Sequence, residues 1–180
     1  MSGVTLFLMV GLPGAGKTTR AQELARAHDA LRFTPDEWHL SLFGTSLRAE
    51  GKRDLLEGWM ITAALRTLRL GTSVVLDFGL WSRDDRSALR WLADQVGVPC
   101  QVVYLPVDLD VQLARIAHRE ASMPQTFPMP EADVVSWRTK FEAPDDAELA
   151  GVDSFGPPGQ WTTWLAWAQD RWPTLIADYS

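Results

Sequence analysis

Residues 9–20 read MVGLPGAGKTTR, and within them Gly11, Gly16, Lys17 and Thr18 stand in the spacing G-x-x-x-x-G-K-T. The run lies between an apolar, strand-forming stretch (TLFLMV, 5–10) and a segment with helical periodicity (17–27). No other feature limits the fold as strongly. Gly11 and Gly16 let the backbone turn so tightly that successive N–H groups point inward, Gly14 adds freedom, and the helix that follows presents its positive end to the same point. A loop of this kind cradles phosphate. Pro13, Ala15 and Thr19 complete it, Lys17 reaches the β- and γ-phosphates, and the Thr18 hydroxyl is placed to ligate Mg²⁺. The expected ligands are therefore ATP and Mg²⁺, although the spacing does not discriminate adenine from guanine.

The remainder of the chain alternates short apolar runs with longer helical ones, the pattern of a parallel sheet with crossover helices. Strands are expected at 5–10, 31–33, 73–78, 100–105 and, as an edge strand, 151–155. Helices are expected at 17–27, from Pro35 after a Thr34 cap, at 48–70, 82–96, from 109 after Asp108, at 131–141, and after the Pro157–Pro158 pair. The fold class is α/β, a three-layer P-loop nucleoside-triphosphate-hydrolase fold with about five mostly parallel strands in the order 2-3-1-4-5. One domain over 1–180 is expected, with a helical lid at about 115–141 that includes the proline-rich MPQTFPMP segment. Arg138 and Lys140 could swing in from that lid.

Carboxyl ends of parallel strands face the ligand crevice. Asp77 closes SVVLD at such an end and is placed to hold Mg²⁺, directly or through water. Asp36 stands 19 residues beyond Lys17, just past the second strand. A carboxylate there can take the proton of a hydroxyl that attacks a γ-phosphate. The same PDE run also suits an ordinary helix start. Phe78 and Trp81 leave the third strand at the rim, and Trp38 and His39 follow Asp36. These four residues are candidate acceptor walls, with core packing the commoner fate of an aromatic.

GLPGAGKTT, TPDEW, VVLDFGLW and LARIAHRE, in this order, resemble the small P-loop kinases of the zeta-toxin and polynucleotide-kinase-like group, and most nearly the small bacterial ATP-binding proteins often labelled AAA-type. The resemblance spans about residues 4–148. It implies Asp36 as general base and Arg115 and Arg119 as lid arginines that contact the transferring phosphate, beside Lys17, the catalytic cation that the loop itself supplies. Those two arginines are four apart and share a helix face. Their alternative is a solvated face paired with Asp110 and Glu120.

Other P-loop classes fit less well. No guanine-reading NKxD segment is present, and the residue after Asp77 is Phe78, where hydrolytic ATPases place a glutamate. The reading is an ATP-dependent kinase whose acceptor is a hydroxyl of a small molecule: a sugar, nucleoside, nucleotide-sugar or antibiotic of similar polarity. A polynucleotide 5′-hydroxyl kinase is the runner-up, since 17 basic against 23 acidic side chains disfavour long nucleic acids without excluding a local groove. An ATP-binding interaction module that phosphorylates no metabolite is the reading of another class.

No signal-peptide pattern or bilayer-length apolar run occurs, and Cys100 is the single cysteine, so a cytoplasmic location without membrane association is expected. Cys100 reads as a core thiol, and His28 and His118 have no metal-ligand companions. Nine tryptophans are unusual for this length. Trp161, Trp164, Leu165 and Ala168 would share a helical face that docks on the sheet or on a second copy in a homodimer, with Trp167 partly off that stripe.

Overall fold

The computed structural model describes residues 3–38, 52–122, 129–152 and 156–177. The central strand β1 (Leu6–Val10, LFLMV) is buried at every residue. A strand covered on both faces has no reason to alternate, so its sequence is a continuous apolar run. β1 pairs in parallel with β3 (Val74–Gly79) on one side and with β4 (Cys100–Tyr104) on the other. β2 (Leu31–Phe33) adds to β3, also in parallel. The order is β2-β3-β1-β4, four strands among the described residues where about five were expected. Of the expected fifth strand, Gly151 lies in a turn, Val152 is irregular, and 153–155 fall outside the described residues.

Helix α1 (Lys17–Ala27) covers one face, where Ala21 and Leu24 meet Phe7, Met9 and Val75. The other face carries α2 (Lys52–Arg69), α3 (Arg83–Gln95) and α7 (Trp164–Arg171), whose apolar residues join Leu6, Leu8, Val10, Leu76 and Phe78 in the larger core. Together these make the three layers. Ser82 starts α3, its hydroxyl accepting from the Asp84 and Asp85 amides at 3.1 and 3.3 Å. Two further helices, α4 (Leu109–Ser122) and α5 (Glu131–Lys140), form the segment expected as a lid, and a short α6 (Asp146–Leu149) follows.

The C-terminal helix starts later than the proline pair suggested. Thr163 caps it, its Oγ1 accepting from the Ala166 amide at 3.1 Å, so Trp161 precedes the helix instead of sharing its face. Trp164 and Ala168 are buried as expected. Trp167, expected off the stripe, also packs on the core, with edge-on contacts to Trp164 at 5.6 Å and Trp172 at 5.8 Å. Cys100 is half-buried against the core, and burial pushes its thiol up to about 12.

A buried ion pair shapes the turn after β3. Arg86 and Glu148 have almost no exposed side-chain surface and bind each other through two nitrogens, the Nη2–Oε2 pair at 3.0 Å. Arg86 Nη1 also donates to the Leu80 and Trp81 carbonyls at 3.1 and 3.2 Å. Leu80 stands at φ +38°, a conformation that side-chain-bearing residues adopt only when their surroundings demand it.

Candidate active site

The glycine loop connects Val10 to Lys17 at the carboxyl ends of the strands. Gly11 has φ +155°, and a Cβ there would stand 2.9 Å from the Leu105 carbonyl, because the loop begins pressed against the segment leaving β4. Gly14, at φ +81°, would bring a Cβ within 3.2 Å of the Gln112 carbonyl on α4. Gly16, at φ +94°, caps α1 without a side-chain hydrogen bond, which leaves the first amides of the helix for an anion. Ala15 is buried, its amide donating to the Leu12 carbonyl at 3.1 Å, while Thr18 and Thr19 are exposed on the first turn of α1.

The loop is held from α4. Gln112, fully buried, donates through Nε2 to the Pro13 carbonyl at 2.9 Å and accepts from Arg138 Nη1 at 2.8 Å. Arg138 also donates to the Val107 carbonyl at 3.0 Å. The α5 cation thus fastens α5 to the base of the loop. Arg115 donates to the Gly14 carbonyl at 3.2 Å from an exposed position. Arg119, one turn on, donates from Nη2 to the Met129 sulfur at 3.2 Å, and its buried Nε has no hydrogen-bond partner among the described residues. Gln112 has no signal of its own in the sequence. It lies one turn before Ile116, and only the fold reveals that it meets the loop.

Charged groups converge beside the loop. Lys17 Nζ donates to the Leu12 carbonyl at 2.8 Å. Burial lowers its pKa to about 8, against the opposing pull of Asp77 and Asp36 and with the help of Arg119 and Arg53. Asp77 is buried at the end of β3 and accepts from Arg32 Nη1 at 3.1 Å. Burial raises its pKa, and Lys17 and Arg32 oppose the rise. Arg32 also pairs with Glu37 at 2.5 Å. Asp36 lies in the helical turn 35–38 and accepts from Arg53 Nη1 at 2.8 Å. Arg32 and Arg53 carry no motif or spacing, so sequence reasoning passed over both.

The expected acceptor walls divide. Phe78 is a core residue, since alternation along β3 puts it on the same face as Leu76, and its backbone carbonyl accepts from Arg53 in the charged cluster at 3.2 Å. Trp81 is half-buried, tilted against Trp137 at 6.1 Å, and its indole nitrogen would stand 3.5 Å from a Cβ on Gly79. Gly79 in turn is close to Lys17 Cε, so Trp81 is the expected wall that reaches the loop. Trp38 is 49% exposed. His39 lies outside the described residues. An open groove of about 250 Å³ flanks the loop on the β4 side, lined by Leu12, Tyr104, Pro106, Val107, Arg138 and Phe141, among others.

A model of the AAA domain family matches residues 6–144, more than half of the chain. The chain belongs to that family. A chain of the Pnkp1/Rnl/Hen1 RNA repair complex superposes with a TM-score of 0.60 at 20% identity, over 91% of this chain and 50% of that one. This AAA-domain protein therefore spans half the length of that relative. A candidate kinase from Chloroflexus aurantiacus j-10-fl gives 0.63 at 21% identity, over 80% of each chain. Kti12 of Chaetomium thermophilum, solved with ADP-AlF3, gives 0.57 at 16%, over 78% and 81%. At these identities the likeness establishes the P-loop fold. No curated protein matches the sequence. No described helix is long and apolar enough to cross a membrane.

Proposed function

We propose that this protein is an ATP-dependent phosphotransferase that moves the γ-phosphoryl group to a hydroxyl of a small molecule. The observation that carries the reading is the meeting of charged groups beside the glycine loop: Lys17 lies close to Gly79 at the end of β3, Arg53 joins Asp36 to the Phe78 carbonyl, and α4 reaches the loop through Arg115, one turn before Arg119. The match to the AAA domain family and the kinase-like neighbours support it.

In this reading the loop amides and Lys17 hold the phosphates. Asp36 accepts the proton as the acceptor oxygen forms its bond to the γ-phosphorus, and the bond from that phosphorus to the bridging oxygen breaks to release ADP. Arg119 stabilises charge on the transferring group, as an arginine finger does. Arg115, held on the Gly14 carbonyl, steadies the loop and is the second lid arginine. The segment 115–141 is the lid of a single domain over 1–180. Trp81 and Trp38 border the acceptor, and the β4-side groove is left for the nucleoside.

The residues fit Mg²⁺. One exposed hydroxyl (Thr18) and one carboxylate (Asp77) make a sparse, all-oxygen donor set, and among the described residues no group of three or more His, Cys, Asp or Glu could form a dedicated metal cage. Such a set suits a cation that keeps most of its water and binds with the substrate phosphates. When bound it would neutralise phosphate charge.

The test is ADP release from MgATP, with and without pooled sugars, nucleosides, nucleotide-sugars, aminoglycosides and a 5′-hydroxyl oligonucleotide. Asp36→Ala is expected to leave ATP binding nearly intact and to lower stimulated release by about 10²-fold or more. Stimulation by the oligonucleotide alone would replace the small acceptor with a nucleic acid. Tight ATP binding with no stimulated pool and no effect of Asp36→Ala would refute the kinase reading in favour of an interaction module.

A further inference from the structure

The family match ends at residue 144, yet the C-terminal segment beyond it is built into α2. The crossing point is Gly58, where a Cβ would stand 2.3 Å from Thr174 Oγ1 and 2.9 Å from the Leu175 amide nitrogen. On either side of it, Thr174 Oγ1 donates to the Leu55 carbonyl at 2.5 Å and the Ile176 amide donates to Thr62 Oγ1 at 2.9 Å. Trp172, two residues before Thr174, is completely buried, and its indole N–H donates to Glu57 Oε2 at 3.1 Å. Arg171, beside it, binds Asp54 at 2.5 Å and Asp85 at 3.0 Å, which fastens the segment to α2 and α3 together.

Glu57 passes this anchoring on. Its Oε1 accepts from Arg53 Nε at 2.7 Å, and the terminal nitrogens of Arg53 donate to the Phe78 carbonyl and to Asp36 Oδ1. We infer that Arg53 is a positioning residue for Asp36, and that the C-terminal segment sets it through Trp172 and Glu57. The inference rests on the reading of Asp36 as the base.

The side chain of Asp36 is 78% exposed and stands in the first helical residues after β2, so burial does little to limit its rotamer. Arg53 supplies what is missing. Its guanidinium is planar, and with Glu57 and the Phe78 carbonyl occupying two of its edges the remaining N–H pair has one direction left, toward Asp36. Burial works against the Arg53 charge, but Glu57 and Asp36 outweigh it and keep the group protonated. A lysine would keep the charge and lose the fork, so it cannot hold three acceptors in one plane.

The experiment follows ADP release by the full chain from MgATP, with the stimulating hydroxyl pool where one exists and with water as the attacking group otherwise. It compares wild type with Asp36→Asn, Arg53→Gln, Arg53→Lys and Trp172→Phe. Arg53→Gln is expected to lower kcat by about 10- to 100-fold, the scale of a misplaced catalytic group, with KM for MgATP within about twofold of wild type. Arg53→Lys should recover part of the loss. Trp172→Phe, which keeps a ring in the core and removes only the N–H donor, should lower kcat several-fold with the same KM. Wild-type kcat in Arg53→Gln and Trp172→Phe alongside a crippled Asp36→Asn would overturn the inference. So would a rise in KM for MgATP at constant kcat, the mark of a nucleotide-binding arginine. An Asp36→Asn protein that turns over at the wild-type rate would instead remove the base reading itself.

Discussion

Lys17 offers a test that needs no acceptor. Burial holds its pKa at about 8 in the nucleotide-free protein, although Asp77 and Asp36 pull it upward. Phosphates bind the ammonium and not the neutral amine, so nucleotide must protonate the fraction of Lys17 that has lost its proton. Below the shifted value nearly all of the protein is ready, whereas at pH 9 about one molecule in eleven carries the charge. Apparent affinity should therefore be almost flat from pH 7 to 7.5, then fall to about a tenth of its pH 7 value by pH 9 and about a hundredth by pH 10. That is about 1.4 kcal/mol per pH unit on the steep limb. Calorimetric titration of MgADP in buffers of different ionisation enthalpy would follow affinity and proton uptake together, at pH values where the phosphates themselves are fully ionised. Lys17→Arg, whose charge does not titrate in this range, is the control and should give a flat profile. A wild-type affinity that stays constant to pH 9.5, or uptake of no proton at pH 9, would refute the placement of a desolvated ammonium at the phosphate site.

Two further outcomes concern the frame around the site. Gly11→Ala combines a strained φ with a Cβ 2.9 Å from the Leu105 carbonyl, so it should cost about 1–3 kcal/mol in urea unfolding and weaken nucleotide binding at the same time. Glu148→Leu leaves Arg86 charged inside the core and should destabilise by about 3–5 kcal/mol, whereas Arg86→Met combined with Glu148→Leu should recover a large part of that loss. Additive costs in the double variant would show that the pair is not a coupled unit.

The parts of this protein legible in its sequence are those whose chemistry is local. The glycine loop is contiguous, its glycines have to adopt φ values other residues avoid, and the strand before it is apolar throughout because both faces are covered. The helix from Ser82 was legible from its local pattern, and the structure adds that Ser82 is its cap. Phe78 shows where locality fails. Its neighbours Asp77 and Gly79 are at the loop, yet its own side chain packs in the core, the commoner fate of an aromatic, and adjacency at the rim could not choose between the two. Arg32, Arg53 and Gln112 were invisible because each becomes meaningful only through a partner 45, 17 or 99 residues away. The C-terminal helix was expected to dock, and its Thr163 cap is a local signal that the proline pair drew attention away from, whereas the passage of 172–176 across Gly58 depends on tertiary contact alone.

The partners of the cations sort them into two kinds of work. Arg32 and Arg53 are bound to carboxylates, two of which, Asp77 and Glu57, are buried. To turn either arginine toward a phosphate would strand a buried acid, a cost of several kcal/mol that a charge-assisted bond to phosphate does little more than offset. These two therefore stay where they are and fix the acids. Lys17, Arg115 and Arg119 instead bind a carbonyl, a carbonyl and a thioether, all neutral acceptors. Exchanging such a bond for one to an ionised phosphate oxygen roughly doubles its strength and leaves no charge behind. The Arg119 Nε, buried without a partner among the described residues, gains most, since a donor already stripped of water acquires an acceptor at no further desolvation cost. Charge brought in by a nucleotide should thus reorganise the α4 side of the site and leave the β2–β3 side, with Asp36 and Asp77, as it stands.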